Sequence, residues 1–379
     1  MLNRQIQKDI EKSLFKGKVI LIIGSRQVGK TTLLKEVLSK YQGKKIWLNA
    51  DEADIKKALQ DASTSTQLFQ LFGDSNLVVI DEAQQIEDIG LKLKLCIDTN
   101  PAVQIIATGS SAFELLNKSN EPLTGRKIEF YLYPFSFTEL KNNSNELIEK
   151  RFLETRLIYG AYPEIINNPG AEKEKLQQLV SSYLYKDLLR YDGIKKSSVI
   201  DKLLLALALQ VGNEVSYNEL SKTIGNIEPA TVEKYIDLLE KSFVVFKLTA
   251  LSRNLRNEIK KGKKIYFYDN GVRNSIINNF NPVGLRQDKG ALWENYLISE
   301  RLKRNSYTKH FCSTCFWRTF DQAEVDYIEE YNGALHTFEF KWKTNRKKIP
   351  ASLLNTYTVK SSQFIDVENY VAFLEDEAL

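Results

Sequence analysis

The amino-acid order predicts an α/β domain built on a parallel sheet, followed by a helical stretch and an α+β part. Three observations predict it. Short apolar runs recur at Val19–Ile23, Lys45–Leu48, Leu77–Ile80, Val103–Ala107 and Ile128–Leu132, with helical or polar stretches between them. Continuous rather than alternating apolar strands belong to a sheet buried on both faces. The first run passes through a glycine-rich turn into a helix carrying Leu33, Leu34, Val37 and Leu38. From about Ser252 the pattern changes to a basic stretch followed by further strands.

In chain order, Leu2, Ile6, Ile10 and Leu14 recur every four residues and predict an amphipathic helix before the first strand. Residues 1–150 then form one α/β domain. Residues 151–195 are expected to be helical, with breaks at Gly160–Pro163 and Pro169–Gly170. The apolar segment Val199–Val211 predicts a further helix, and Ser216 with Glu219 reads as a capping box opening another. A turn at Gly225–Asn226 precedes a third helix with Pro229 near its start, where a missing N–H is harmless. That helix runs to about Ser242, and Phe243–Leu251 reads as a hairpin arm. This order suggests a winged helix over residues 196–251. Residues 252–379 form a separate α+β domain, with a basic stretch from Arg253 to Lys264, strands at Ile265–Tyr268, Cys315–Phe320, Val325–Glu329 and Leu335–Trp342, and a helix around Leu292–Leu302.

Composition excludes several classes. The 379 residues, 43% hydrophobic and 27% charged, suit two or three globular domains and exclude a disordered or fibrous chain. No apolar run approaches the ~20 residues of a membrane span. No basic segment followed by an apolar stretch opens the chain, so export is not expected. Three cysteines are too few for a disulfide framework, and the cytoplasm is the expected home. A net charge of +5 is too mild to signal nucleic-acid binding by itself.

The chemistry begins at Gly24, Ser25, Arg26, Gln27, Val28, Gly29, Lys30 and Thr31, which match G-x-x-x-x-G-K-[ST]. The glycines let the backbone wrap phosphates with its N–H groups, Lys30 neutralises the β and γ phosphates, and the Thr31 hydroxyl ligates Mg²⁺. Thr32 continues the first turn of the helix. A chance match in this length is about one in a hundred, and the setting between a strand and a helix makes an ordinary βα turn the poorer reading. The strand Leu77–Ile80 ends in Asp81 and Glu82. Asp81 is placed to hold the Mg²⁺ shell and Glu82 to polarise an attacking water. Thr108 and Ser110 follow another strand, where a hydroxyl can meet the γ-phosphate or the water. Arg126, before Ile128–Leu132, is a candidate finger for a neighbouring subunit's nucleotide; a solvated surface arginine is the competing reading.

These residues occur in order with Ile80-Asp-Glu-Ala-Gln84, Thr108-Gly-Ser-Ser111, Leu123-Thr-Gly-Arg126 and Tyr133-Pro-Phe-Ser-Phe-Thr-Glu139. Further on stand Gly160-Ala-Tyr-Pro163, Asn254, Ile265-Tyr-Phe-Tyr-Asp-Asn-Gly271, Phe316-Trp-Arg-Thr319 and Glu324-Val-Asp326-Tyr327. The set resembles the AAA+ superfamily ATPases of bacteria and archaea that carry a C-terminal DUF4143 domain, and it covers nearly the whole chain. The resemblance implies a P-loop AAA+ parallel-sheet ATPase core with ATP as ligand, a helical lid, a winged helix, and a C-terminal α+β domain similar to the PD-(D/E)xK nuclease fold. It also implies that Tyr162 and Pro163 of the lid approach the adenine; the competing reading is a plain helix-breaking turn.

In the C-terminal part, a strand period of two puts Glu339 and Lys341 on one face and Phe338, Phe340 and Trp342 on the other. Asp326 shares a face with Glu324 on the preceding strand. One carboxylate from each strand can hold Mg²⁺, with Lys341 orienting a water and Glu294, on the helix before, completing the shell. This is similar to the nuclease pattern D…(D/E)-x-K. Lys343, Arg346, Lys347 and Lys348 are placed to track a phosphate backbone, or form a solvated face. Glu228, Glu233, Asp237 and Glu240 make the third winged-helix helix acidic, which argues against its reading DNA. Cys312 and Cys315 have zinc-like spacing without a second pair and read as ordinary thiols. The expected function is Mg²⁺-dependent ATP binding and hydrolysis coupled to a nuclease-like domain acting on DNA. The alternative is a nucleotide-dependent switch that binds a protein partner and cuts nothing. Expected partners are ATP or ADP, DNA, and a protein or a second copy of the chain, with no membrane.

Overall fold

A computed structural model describes residues 2–110, 123–188, 197–251, 262–319, 323–343 and 349–375. The chain divides into two compact units, Met1–Tyr133 with Lys241–Phe243, and Pro134–Glu240 with Val244–Leu379.

The first unit is a five-stranded parallel sheet in the order β2-β3-β4-β1-β5, formed by β1 (Val19–Ile23), β2 (Lys45–Asn49), β3 (Leu77–Asp81), β4 (Gln104–Gly109) and β5 (Lys127–Tyr131). Every residue of β1, β3 and β4 is buried, as continuous apolar runs require. Because the strands run parallel, with Ile23 opposite both Gly109 and Tyr131, the ends of β1, β3 and β4 lie along one edge. That edge, where β4 has inserted between β1 and β3, is where open α/β sheets bind ligands. The N-terminal helix is shorter than its periodicity suggests. It covers Gln7–Ser13, buries Ile10, and ends before Phe15, which adopts φ 57°.

The unit also ends earlier than residue 150. Ser136 caps the helix Phe137–Asn143 in a reciprocal box with Glu139. The Phe137 N–H donates to Glu300 Oε2 (2.6 Å), and the Phe137 ring meets Tyr370 edge-on at 5.7 Å. Residues 134–150 are thus anchored in the second unit.

The second unit contains a seven-stranded mixed sheet in the order β12-β11-β10-β9-β7-β8-β6. Its strands are β6 (Glu214–Val215), β7 (Val245–Ala250), β8 (Lys263–Phe267), β9 (Ser313–Arg318), β10 (Glu324–Tyr331), β11 (Ala334–Phe340) and β12 (Val359–Ile365). The helices Ser197–Leu209, Tyr217–Thr223 and Pro229–Lys241 precede β7, and β6 pairs with β8. The boundary expected at 251/252 falls inside the β7–β8 hairpin, and β7 runs parallel to β9 with Thr249 opposite Cys315. One hydrogen-bonded sheet therefore joins what the sequence separates into two domains. Of the basic stretch from Arg253 to Lys264, residues 252–261 lie outside the described residues.

The helix Lys289–Thr308 lies against β8 and β11 and buries Trp293, Leu297 and Ile298. It also carries Arg301, whose guanidinium grips buried Glu329 with two 2.8 Å bonds. Gly160, at φ +71°, shows why the motif Gly160–Pro163 needs its glycine: a Cβ there would stand 1.9 Å from Asp269 Oδ1. Asp269 Oδ2 meanwhile accepts from the Ala161 N–H at 2.8 Å.

Candidate functional sites

The first site is the edge of the parallel sheet. Gly24 leaves β1 under the chain that follows β5, so close that a Cβ would lie 2.1 Å from the Leu132 carbonyl oxygen. Gln27 and Gly29 take positive φ, 59° and 94°, which curls the loop before the helix Lys30–Val37 begins. Ser25 and Val28 are buried, Arg26 is half-buried, and Gln27 and Thr32 are exposed. Lys30, only 5% exposed, donates from Nζ to the carbonyls of Gly24 and Ser25, each at 3.0 Å. The Thr31 hydroxyl donates to Asp81 Oδ2 at 2.9 Å. The other Asp81 oxygen accepts from Thr108 Oγ1, and Thr108 Oγ1 in turn accepts from the Glu82 N–H at 3.1 Å. Gln84 bridges Glu82 and Ser110, with Nε2 3.0 Å from Ser110 Oγ. Three strand ends thus deliver Lys30 and Thr31, Asp81 and Glu82, and Thr108 and Ser110 to one polar cluster.

Arg126 does not join it. Its carbonyl accepts from the Val19 N–H, which puts it at the opposite, amino-terminal end of β1. Its guanidinium forms an exposed ion pair with Asp98. A solvated surface arginine fits that position, and a finger for a neighbouring subunit's nucleotide would equally lie away from its own phosphate loop. Tyr162 and Pro163 lie in the second unit, Tyr162 buried and Pro163 at the first position of the helix Pro163–Ile166.

The second site lies where β10 and β11 meet. A bulge in β10 between Val325 and Ile328 shifts the register against β9 and re-aims Asp326. Asp326 Oδ2 accepts from the Phe340 N–H (2.8 Å) and from Lys341 Nζ (3.3 Å). Lys341 Nζ is also 3.3 Å from Glu339 Oε2, so one ammonium bridges the two carboxylates. Phe338 and Phe340 take the opposite face and pack on Phe373. Trp342 meets Trp293 at 5.4 Å.

Glu294 is drawn elsewhere. Its Oε1 accepts from Tyr266 OH at 2.5 Å and from Lys264 Nζ at 3.2 Å, and Lys264 also grips Glu324 at 2.6 Å. Burial pushes the Glu294 pKa up to about 7, against the pull of Lys264. Burial, reinforced by the charge of Asp326, pushes Glu339 up to about 7 as well. Burial opposes the charged form of Lys264, but Glu294 and Glu324 outweigh it and raise its pKa.

Residues 16–141 match the model of an AAA domain, residues 150–283 that of DUF8612 and residues 289–372 that of DUF4143, the latter two being domains of unknown function. The chain is an AAA-domain protein with a C-terminal DUF4143 domain. A Walker-type ATPase of Pyrococcus abyssi has a similar fold, with a TM-score of 0.51 at 18% identity over 73% of this chain and 96% of that one. An uncharacterized protein of Mycobacterium tuberculosis is 25% identical over 350 residues, 91% of this chain and 74% of its own. An uncharacterized protein of Haemophilus influenzae is 27% identical over 338 residues, 81% of this chain and 78% of its own. The AAA domain has the fold of a P-loop ATPase, and nucleotide is its ligand.

Around these domains the structure adds residues that motif reading passed over. Gln84 is part of the motif Ile80–Gln84, yet its amide position beside Ser110 depends on the turn after β3. Lys264 and Tyr266 reach the DUF4143 carboxylates from β8, before the start of the DUF4143 match. The acidic third helix is also changed by its setting. Lys263 pairs with Glu233 at 3.1 Å, and Lys247 pairs with Asp237 and with Glu240, the latter at 2.8 Å. The hairpin lysines therefore neutralise that helix from within. Of the other basic side chains named from sequence, Lys343 is exposed, while Arg346, Lys347 and Lys348 lie outside the described residues.

Among the described residues, His310, Cys312 and Glu329 stand within 4.8 Å of one another. Glu329 is already held by Arg301 and Asn305, and burial pushes the Cys312 thiol up to about 12. Among the described residues, no helix is long and apolar enough to cross a membrane.

Proposed function

We propose that the AAA domain binds ATP with Mg²⁺ and hydrolyses it, and that the DUF4143 domain uses a divalent cation to cleave phosphodiesters of DNA. We place the protein in the cytoplasm. The observation that carries the first half is the 2.9 Å contact between Thr31 Oγ1 and Asp81, beside the buried Lys30 ammonium. Two oxygens that close, at the start of a helix whose N–H groups face phosphates, suit one Mg²⁺. Mg²⁺ bound there supplies charge neutralisation on the β and γ phosphates. Lys30 exchanges the Gly24 and Ser25 carbonyls for phosphate oxygens. Glu82 accepts a proton from the attacking water, and Gln84 and Ser110 orient that water.

In the DUF4143 domain, Asp326 and Glu339 are the ligand pair. The Lys341 bonds engage Asp326 Oδ2 and Glu339 Oε2, and leave Asp326 Oδ1 and Glu339 Oε1 for a cation. A bound cation supplies Lewis acidity toward the scissile phosphate, while Lys341 stabilises the charge that develops on it. The helices 197–241 with β6, β7 and β8 read as a winged helix. A second reading, a nucleotide-dependent switch that binds a protein and cuts nothing, draws on Lys264, which satisfies Glu294 and Glu324 without a metal.

Purified protein, Lys30→Ala and Lys341→Ala incubated with labelled single- and double-stranded DNA and RNA, with Mg²⁺ or Mn²⁺ and with or without ATP, tests the proposal. ATP hydrolysis lost in Lys30→Ala and DNA cleavage lost in Lys341→Ala are expected. Hydrolysis without cleavage under any condition overturns the nuclease half and leaves the switch.

A further inference from the structure

The DUF4143 carboxylates receive a lysine from outside that domain. Lys264 stands on β8, is 2% exposed, and sits between Glu294 (3.2 Å) and Glu324 (2.6 Å). The Tyr266 hydroxyl, two residues along the same strand, closes on Glu294 from its own side. The Lys264 ammonium also lies 5.2 Å from the centre of the Phe316 ring, which adds an apolar wall with a negative face. Lys341 occupies the other half of the cluster, bridging Asp326 and Glu339.

We infer that Lys264 is a positioning residue that acts as a resident cation and limits this cluster to one divalent ion, at Asp326 and Glu339. The inference rests on reading those two carboxylates as metal ligands. Glu324 also meets the Arg318 guanidinium at 4.0 Å, so Lys264 and Arg318 together cover the Glu294–Glu324 half of the cluster, whereas Asp326 and Glu339 share the single ammonium of Lys341. A second divalent ion, ~4 Å from the first as paired-metal sites require, would have to share the Glu294 and Glu324 carboxylates with the buried Lys264 ammonium, which stands on Oε1 of each. Displacing a buried ammonium from two carboxylates leaves it unpaired, which is strongly unfavourable. Glu294 is then a partner of Lys264 and Tyr266, not a metal ligand.

The test is Mn²⁺ binding to the full chain without nucleotide, followed by electron paramagnetic resonance of free Mn²⁺, for wild type, Lys264→Met, Glu294→Gln and Asp326→Asn. The expected results are one Mn²⁺ in wild type, a second ion or at least tenfold tighter binding in Lys264→Met, and affinity within about threefold of wild type in Glu294→Gln. Asp326→Asn is expected to lose the site. Lys264→Met binding no more ions and no more tightly than wild type overturns the inference, whether or not wild type binds. If Lys264→Met does not fold, Glu294→Gln decides: a loss as large as that of Asp326→Asn makes Glu294 a ligand and overturns it. Wild type and Asp326→Asn binding alike would instead overturn the ligand reading of Asp326, and gained binding in Lys264→Met would still support the role of Lys264.

Discussion

Replacing Gly24 with alanine isolates one steric demand of the phosphate loop. The φ of Gly24 lies outside the left-handed region, so the cost is not conformational. The new Cβ would stand 2.1 Å from the Leu132 oxygen, 3.1 Å from its carbonyl carbon and 3.3 Å from Val28 Cγ2. Relieving the first contact means moving that carbonyl by about 1 Å, and a backbone atom cannot swing aside as a side-chain tip does. Leu132 also donates its N–H to Ile23 O at 2.8 Å, so the shift strains the last rung between β1 and the chain after β5. A weakened backbone bond costs about 1 kcal/mol and overpacking a further 1–3 kcal/mol, about 3 kcal/mol together. Gly125→Ala is the control. Gly125 has φ +75° and, among the described residues, nothing within 4 Å of where its Cβ would stand, so its cost is conformational, about 1 kcal/mol. Urea unfolding and the Kd of a fluorescent ADP read both variants. Gly24→Ala is expected to lose about 3 kcal/mol and about a hundredfold or more in affinity, and Gly125→Ala about 1 kcal/mol with affinity unchanged. Equal losses in the two variants, or full nucleotide affinity in Gly24→Ala, would refute the reasoning.

Thr31→Val removes the hydroxyl that meets Asp81; a charged hydrogen bond of about 2 kcal/mol predicts a roughly 30-fold lower rate of Mg²⁺-ATP hydrolysis, read as phosphate release over a Mg²⁺ series. Arg301→Met leaves Glu329 buried without its guanidinium partner, and a loss of about 3–5 kcal/mol is expected in urea unfolding. Glu339→Gln tests the linkage of charge to folding. A carboxyl raised from 4.5 to about 7 holds its proton more tightly folded than unfolded, so its contribution is present below about pH 4.5 and lost as pH rises through 7. The stability of wild type relative to Glu339→Gln should fall by about 3 kcal/mol between pH 4 and pH 8.5, and parallel pH profiles would exclude it. Arg126→Ala should change stability by less than about 1 kcal/mol and leave ATP turnover intact; a tenfold drop in turnover would restore the finger reading.

The phosphate site was legible because its chemistry is local and its topology is regular. Gly24 to Thr31 are contiguous, and Asp81 and Ser110 each end an apolar strand, so a parallel sheet brings them together without further information. Asp326, Glu339 and Lys341 were legible for the same reason, through strand period, although the bulge that aims Asp326 has no sequence mark. The partners that hold Glu294, Lys264 and Tyr266, were not legible, because they are near 30 residues away and sit in a strand that reads only as apolar with basic neighbours. Strand β12 escaped notice because Val359–Ile365 holds Lys360, Ser361, Ser362 and Gln363, with only partial burial and none of the apolar pattern that marks its neighbours. The acidity of the third helix was visible, but the lysines that neutralise it come from β7 and β8, which only the fold brings beside it.

The joined sheet bears on what the helices 197–241 and the strands β7 and β8 can do. A hairpin that ends in solvent would be free to move against its neighbours. Here β7 hydrogen-bonds to β8 on one side and to β9 on the other, and the Leu251 N–H donates to Phe316 O at 2.6 Å. Separating the β7–β8 hairpin from the DUF4143 strands would expose unpaired backbone groups on β9 and strip Lys264 from two carboxylates. Both costs fall at once, because β8 carries Lys264 and pairs with β7. The β7–β8 hairpin and the C-terminal strands share one sheet, so a truncation beginning at residue 252 removes β7 and leaves β9 with an open edge.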